Sequence, residues 1–250
     1  MKITIVTVCF NSEATIEQTL KSVLSQTHQD VEYIVIDGKS TDGTLLCIEK
    51  YANQIKSIIS EKDDGIYYAI NKGVSMATGE IIGILHSDDF FASNSILAKI
   101  NHAFELSGSD AVYGDLQYVD KDDTTKIFRN WIAGNYYDGL FLKGWMPPHP
   151  SFFVKRDCYE RFGLFNTRFR SAADYELMLR FIQKHRIHVT YLPEVLVKMR
   201  TGGKSNISLI NRLKANREDR FAWRVNDLKP GWFTLTLKPL SKLKQFFPNI

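Results

Sequence analysis

The chain has 250 residues, 44% of them hydrophobic and 24% charged, and a formal net charge of +4. This fits a soluble globular protein with a good core, and no apolar run approaches the ~20 residues that span a bilayer. The charge is uneven: nine Lys/Arg against three acids from residue 211 onward give that segment +6 and leave −2 for the first 210 residues.

The first hundred residues alternate between two periods. Ile3 to Val8 is a β-branched run that reads as a buried strand. Residues 12–26 read as a helix, opened by Ser12 and Glu13, with Ile16, Leu20, Val23 and Leu24 at helical spacing. Strand 31–36, helix 42–53, strand 56–60, helix 65–77 and strand 80–85 follow. Such alternation predicts βαβ units and a parallel sheet. Beyond residue 107 the pattern changes. A longer strand over 111–119 can pair with 124–130 through the Asp120–Asp123 turn. Residues 131–150 form an aromatic, Gly- and Pro-rich loop; a strand over 151–154, a helix over 174–185 and a strand over 188–200 complete the pattern.

Three groups of carboxylates stand just past the ends of apolar strand-like runs: Asp37 with Asp42, Asp63 with Asp64, and Asp88 with Asp89. In an open α/β sheet the strand carboxyl ends share one edge, and ligands bind in the crevice there. Acids gathered on that edge repel one another unless a cation or a hydrogen-bonding ligand sits among them. The expected chemistry is a divalent metal holding a phosphorylated substrate.

Four motifs in order, Val6-Thr7-Val8-Cys9-Phe10-Asn11-Ser12, Val35-Ile36-Asp37-Gly38-Lys39-Ser40-Thr41-Asp42-Gly43-Thr44, Ser60 to Tyr67 with Asn71-Lys72-Gly73, and Ser87-Asp88-Asp89, resemble the family 2 glycosyltransferases. His149-Pro150-Ser151-Phe152-Phe153, Ala173-Asp174-Tyr175-Glu176-Leu177 and Gly202-Gly203-Lys204-Ser205 resemble the second half of the bacterial surface-polysaccharide members, those of the colanic acid type included. The resemblance spans roughly residues 3–208. It implies a GT-A fold, in which a Rossmann-like nucleotide-binding half (1–106) with a mostly parallel sheet is fused to an acceptor-binding half (107–208). It also implies a nucleoside-diphosphate-sugar donor, a Mn²⁺ or Mg²⁺ ion, and inversion at the anomeric carbon.

Each candidate residue has a functional and a plainer reading. The resemblance puts Asp37 on a uracil or thymine imide; on its own it suits an Asx-type turn. Asp42 suits a helix cap rather than a ligand. The resemblance gives Asp88 the ribose and Asp89 the metal, where a hard cation takes a few carboxylate oxygens and leaves other positions to phosphate and water. Both could instead cap a helix near Ser95. Asp64 opens a helix N-terminus, which favours anions, and Lys72, two turns on, could reach phosphate or merely face solvent. Asp174 is the candidate base for the acceptor hydroxyl by the resemblance, an N-cap by sequence alone; Glu176 is the reserve. His149, held between prolines, could contact diphosphate, metal or acceptor. Arg200 with Gly202, Gly203 and Ser205 could form a pyrophosphate flap.

Other readings are weak. Gly-Gly-Lys-Ser is no P-loop, because Lys198 stands where its first glycine belongs, and no G-x-G-x-x-G follows the first strand. Cys9, Cys47 and Cys158 form no C-x-x-C pair, so a reducing cytoplasm is the expected setting, and the N-terminus lacks a signal-peptide layout. Residues 209–250 read as a basic amphipathic tail, with Leu240, Leu243, Phe246 and Phe247 on one face, suited to an anionic membrane surface. Nucleic acid is not expected, since no recognition module accompanies the charge. The acceptor is expected to be a glycan or lipid-linked saccharide. A non-catalytic nucleotide-sugar-binding subunit and a sugar nucleotidyltransferase are the alternatives.

Overall fold

The computed structural model describes residues 1–202 and 209–234, with 209–216 through their backbone alone. Strand β1 (Ile3–Cys9) is buried along its whole length. It runs parallel between β2 (Val31–Asp37) and β4 (Ile81–Ile84), and β3 (Ser57–Ser60) lies parallel outside β2. A parallel strand covered by helices on both faces reads as an unbroken apolar run, which is why β1 was legible. Its side chains alternate between two cores: Ile3 and Ile5 face helices α1 (Ile16–Leu24) and α2 (Thr44–Glu49), while Val6 and Val8 face α3 (Ile66–Met76). Helix α3 lies close on β1; a Cβ added to Gly73 would stand 2.2 Å from a Val6 methyl.

The sheet then continues through the second half. Strand β5 (Asp89–Phe91) and helix α4 (Ile96–Ser107) lead to β6 (Ala111–Val119), which pairs antiparallel with β7 (Ile127–Trp131) across the expected turn. Asp120 Oδ1 accepts the backbone N–H groups of Asp122 and Asp123 there. Strand β8 (Phe152–Lys155) joins β4 to β6, antiparallel to both, and is followed by α5 (Arg156–Phe162). Helix α6 (Ala173–Met178) widens into a π-helix over Leu179–Lys184. Strand β9 (Val189–Arg200) runs parallel to β6 and antiparallel to β5, and its register slips beside Asp115, where Pro193 brings no N–H to the ladder. The order is β3-β2-β1-β4-β8-β6-β9-β5, with β7 on β6, and most paired residues are parallel. This is the expected α/β, GT-A-like architecture.

Among the described residues, β5, α5 and α7 (Leu209–Val225) were not anticipated. The last changes the reading of the C-terminal segment. Ala222, Trp223 and Asn226 are buried, Trp223 Nε1 donates to Tyr175 Oη at 2.9 Å, and Glu218 accepts the N–H groups of Arg170 and Ser171. Residues 217–228 therefore pack on the body instead of opening a tail at 209. Leu240 to Phe247 and the 203–208 part of the glycine-rich motif lie outside the described residues.

At the edge opposite the strand carboxyl ends, Glu32 is buried. Its oxygens accept from Thr4 Oγ1, Thr78 N and Thr78 Oγ1, each at 2.7 Å, and from Lys2 Nζ at 3.3 Å. Burial alone would push its carboxyl up, but these bonds outweigh it and hold it down at about 2. A depressed carboxylate stabilises the fold above its unfolded value and loses that contribution as pH falls through the folded one. Between pH 4.5 and 2 the wild type should lose roughly 3 kcal/mol through this group. Urea midpoints of Glu32→Gln across that range should be correspondingly flatter; parallel curves would refute the assignment.

Candidate active site

The carboxyl ends of β1, β2 and β4, together with the far end of β9, bring the predicted residues to one edge. The turn after β4 is pinned to α1, whose Thr19 Oγ1 donates to the carbonyls of Ser87 (3.0 Å) and Asp89 (2.7 Å). Asp88 is half-buried, and Asp89, the first residue of β5, is 0% exposed. Neither Asp89 carboxylate oxygen has a hydrogen-bond partner. Burial first, and then the neighbouring Asp88, push its carboxyl well above the usual range, while Arg200 pulls the other way. Because β9 lies beside β5, Arg200 reaches the same turn: Nη1 donates to the Asp88 carbonyl at 2.6 Å, Nη2 to Gln18, and the guanidinium lies 5.2 Å from the Phe90 ring centre.

A second group forms below this turn. His86 and His149 meet edge to face with ring centres 5.7 Å apart. Both line a cavity with Asp174, Ile84, Phe152 and Tyr159, and Tyr67 Oη donates to Asp174 Oδ2 at 3.1 Å. Burial, then His149, lower the His86 pKa, against the opposite pull of Asp174 and Asp88. Its burial thus favours the neutral imidazole over the charged one.

Other candidates are occupied by the fold. Asp37 is buried and accepts from Ser40 N (3.0 Å), Ser40 Oγ and Ser60 Oγ (2.6 Å), the Asx-type turn of the plainer reading. Its oxygens are thereby committed in this conformation. Asp42 accepts from Thr44 N (3.0 Å) and Glu13 N (3.2 Å) and so holds the turn before α2, but the N-cap there is Gly43, not Asp42 as expected. Asp64 is exposed at the mouth of α3. Lys72 does not stand ready for phosphate, because it is ion-paired to Glu61 (2.6 Å) and Asp63 (2.7 Å). Glu176, the reserve base, is 2% exposed and turned into the fold, since residues two apart on a helix face nearly opposite ways. It pairs bidentately with Arg180 (2.9 and 3.1 Å) and accepts from Asn226 (2.9 Å).

Among the described residues, no group of three His, Cys, Asp or Glu is placed to hold a metal. The two orphaned oxygens of Asp89, with Asp88 adjacent, nevertheless suit a hard cation that draws its remaining ligands from substrate phosphate and water.

The family model for glycosyl transferase family 2 matches residues 4–163. The chain belongs to that family. A PGL/p-HBAD biosynthesis glycosyltransferase of Mycobacterium bovis is 31% identical over 202 residues, covering 78% of this chain and 76% of that protein. An uncharacterized glycosyltransferase of Mycobacterium tuberculosis is 31% identical over 182 residues, 71% of this chain and 68% of its own. Two solved structures share the fold. Staphylococcus aureus TarS 1–349 with UDP-GlcNAc has TM-score 0.69 and 16% identity, over all of this chain and 73% of that one. The Pyrobaculum calidifontis mannosyltransferase PcManGT with GDP-Man and Mn²⁺ has TM-score 0.67 and 21% identity, over 97% and 69%.

Two residues of this glycosyltransferase escaped the sequence reading. His86 sits one residue past the Ile81–Leu85 run, the position that drew attention to Asp88 and Asp89, but a single histidine gave no spacing to test. Tyr67 was visible only as part of a motif, and its partner Asp174 lies 107 residues away.

Proposed function

We propose that this family 2 enzyme is an inverting transferase that moves a sugar from a UDP- or dTDP-sugar to a glycan or lipid-linked acceptor of bacterial surface polysaccharide. The observation that carries the reading is the fully buried, unpartnered carboxylate of Asp89 beside Asp88 and Arg200 at the strand carboxyl edge. Such a group costs several kcal/mol of desolvation, and a site tolerates it where function uses it. Asp88 and Asp89 would hold a Mn²⁺ or Mg²⁺ ion, which when bound neutralises charge on the departing diphosphate. The Mn²⁺ and nucleotide sugars named with TarS and PcManGT support this choice.

The chain's own residues carry the rest. Arg200 is anchored on the Asp88 carbonyl and lends positive charge to the diphosphate side. Asp174, which lines one cavity with His86 and His149, takes the proton of the acceptor hydroxyl. That oxygen forms the new bond to the anomeric carbon, the bond to the phosphate oxygen breaks with its electron pair, and the nucleoside diphosphate leaves. Attack opposite the leaving group inverts the centre.

A panel of nucleotide-sugars with Mn²⁺, scored for nucleoside-diphosphate release with and without EDTA, tests this. Metal-dependent release from one donor class is expected. Pyrophosphate release from a nucleoside triphosphate would instead favour a nucleotidyltransferase, and donor binding without turnover in the presence of acceptor a binding subunit.

The second partner in this reading is the inner face of the plasma membrane. Trp232 and Phe233 are 100% and 71% exposed, and Thr234 Oγ1 donates to the Leu142 carbonyl at 2.7 Å, placing them beside Tyr137, Leu142 and Lys143. Aromatic and cationic side chains together suit the headgroup level of an anionic bilayer. The protein should co-sediment with phosphatidylglycerol vesicles and lose at least half of that binding in a Trp232→Ala, Phe233→Ala double variant. Equal binding by both proteins would exclude this face.

A further inference from the structure

We propose that Tyr67 is a positioning residue for Asp174, tying the orientation of the transfer base to the helix that opens at the donor loop; this rests on the assignment of Asp174 above. The phenol reaches the first turn of α6, where it donates to Asp174 Oδ2 at 3.1 Å. Burial first, and then the Asp174 charge, push the Tyr67 pKa far up, so the group remains a donor at any working pH.

The same helix holds the segment leading to the base at a second point. Asn71, one turn after Tyr67, exchanges two hydrogen bonds with the Phe165 backbone (2.8 and 2.9 Å), and the Tyr67 and Phe165 rings stack with centres 6.0 Å apart. Helix α3 begins directly after Asp63-Asp64-Gly65, where Gly65 has φ 145°, a conformation that favours glycine. Tyr67 thus sits in the first turn of the element whose mouth is assigned to the donor. Its hydroxyl is the link from that mouth to the acceptor side. Among the described residues, the titratable groups around this contact include His86 after β4, His149 before β8, Tyr159 on α5 and Glu218 on α7.

A tyrosine in an aromatic core can also serve packing alone, and Tyr67→Phe separates the two roles by keeping the ring. We expect the variant to fold with a melting temperature close to wild type. Its kcat for nucleoside-diphosphate release, from whichever panel donor turns over, should fall about tenfold. Donor KM should change less than twofold and the acid limb of kcat should move to higher pH, because a bond to the ionised carboxylate is lost. In an Asp174→Asn background the same change should have no further effect on rate. Asn71→Ala, which loosens the same segment, should lower the melting temperature without moving the limb. A substrate-free readout is the ¹³Cγ aspartate resonance that disappears in Asp174→Asn; its titration midpoint should rise in Tyr67→Phe. An unmoved midpoint, an unchanged rate, or rate losses that multiply in the double variant would each overturn the proposal with the base assignment intact. Wild-type turnover by Asp174→Asn alone would remove the base assignment itself, and this proposal with it.

Discussion

Asp89→Asn is expected to make the protein more stable and inactive at once. The wild-type carboxylate is wholly buried with neither oxygen hydrogen-bonded, and burial raises its pKa well above the ordinary carboxylate value. The sign follows from that direction. A folded-state pKa above the unfolded 3.8 means the native state binds the extra proton, so stability without metal falls as pH rises from 3.8 toward the raised value. An amide of the same shape carries no charge to desolvate and should recover about 1–3 kcal/mol near neutral pH. For a chain of this size each kcal/mol is about 2–4 °C in melting temperature. The gain should shrink on acidification, where the wild-type group is already neutral.

Metal reverses the comparison. An ion bound to the native state alone stabilises it by mass action, so MnCl₂ should raise the wild-type melting temperature and leave Asp89→Asn unmoved. Metal-dependent donor turnover should fall at least a hundredfold in the variant. Scanning calorimetry at pH 5 and pH 8, with EDTA or MnCl₂, checks all of this. A lower melting temperature for the variant in EDTA would mean that Asp89 is a structural acid with a partner, and the metal reading would lose its support.

How much of this was legible depended on the range over which each signal acts. Strands β1 to β4 and their carboxylates were readable because a buried parallel strand writes an unbroken apolar run and the turn after it is local. The ends of α2 were looser, since its helical period gives way to a 3-10 turn at Ala52–Gln54. Strand β5 was invisible: its three residues begin with Asp89, and only the β9 strand over a hundred residues later makes it a strand. Helix α7 was read as part of a basic amphipathic tail because charges are interleaved with its apolar positions, yet Trp223 and Asn226 find Tyr175 and Glu176 across the chain. Within the site, helical spacing put Lys72 on the face of Gly65 but could not show that Glu61 and Asp63 close over it. Position 37 satisfied both the turn and the ligand reading locally, and its further partner, Ser60, came from the next strand end.

Asp174 and Glu176 stand two residues apart in one short helix and give the strongest test of which acid does the chemistry. Asp174→Asn should lower kcat by about 10²–10⁴, the usual contribution of a positioned general base, with donor affinity by calorimetric titration unchanged. The amide oxygen can still accept from Tyr67, so the fold should stay within ~1 kcal/mol of wild type. Glu176→Gln should do the opposite. Its carboxylate neutralises Arg180, whose Nη groups also cap the carbonyls of Gly163 and Leu164 at 2.8 and 2.7 Å. Removing that charge leaves a half-buried guanidinium uncompensated, at a cost of about 3 kcal/mol, while the folded fraction should keep its specific activity. The two acids are separated by the direction of their side chains alone: one opens on the cavity shared with His86 and His149, the other on the core. If Glu176→Gln abolished turnover without loss of stability and Asp174→Asn did not, the base would have to be reassigned, and α6 would have to present its other face to the acceptor.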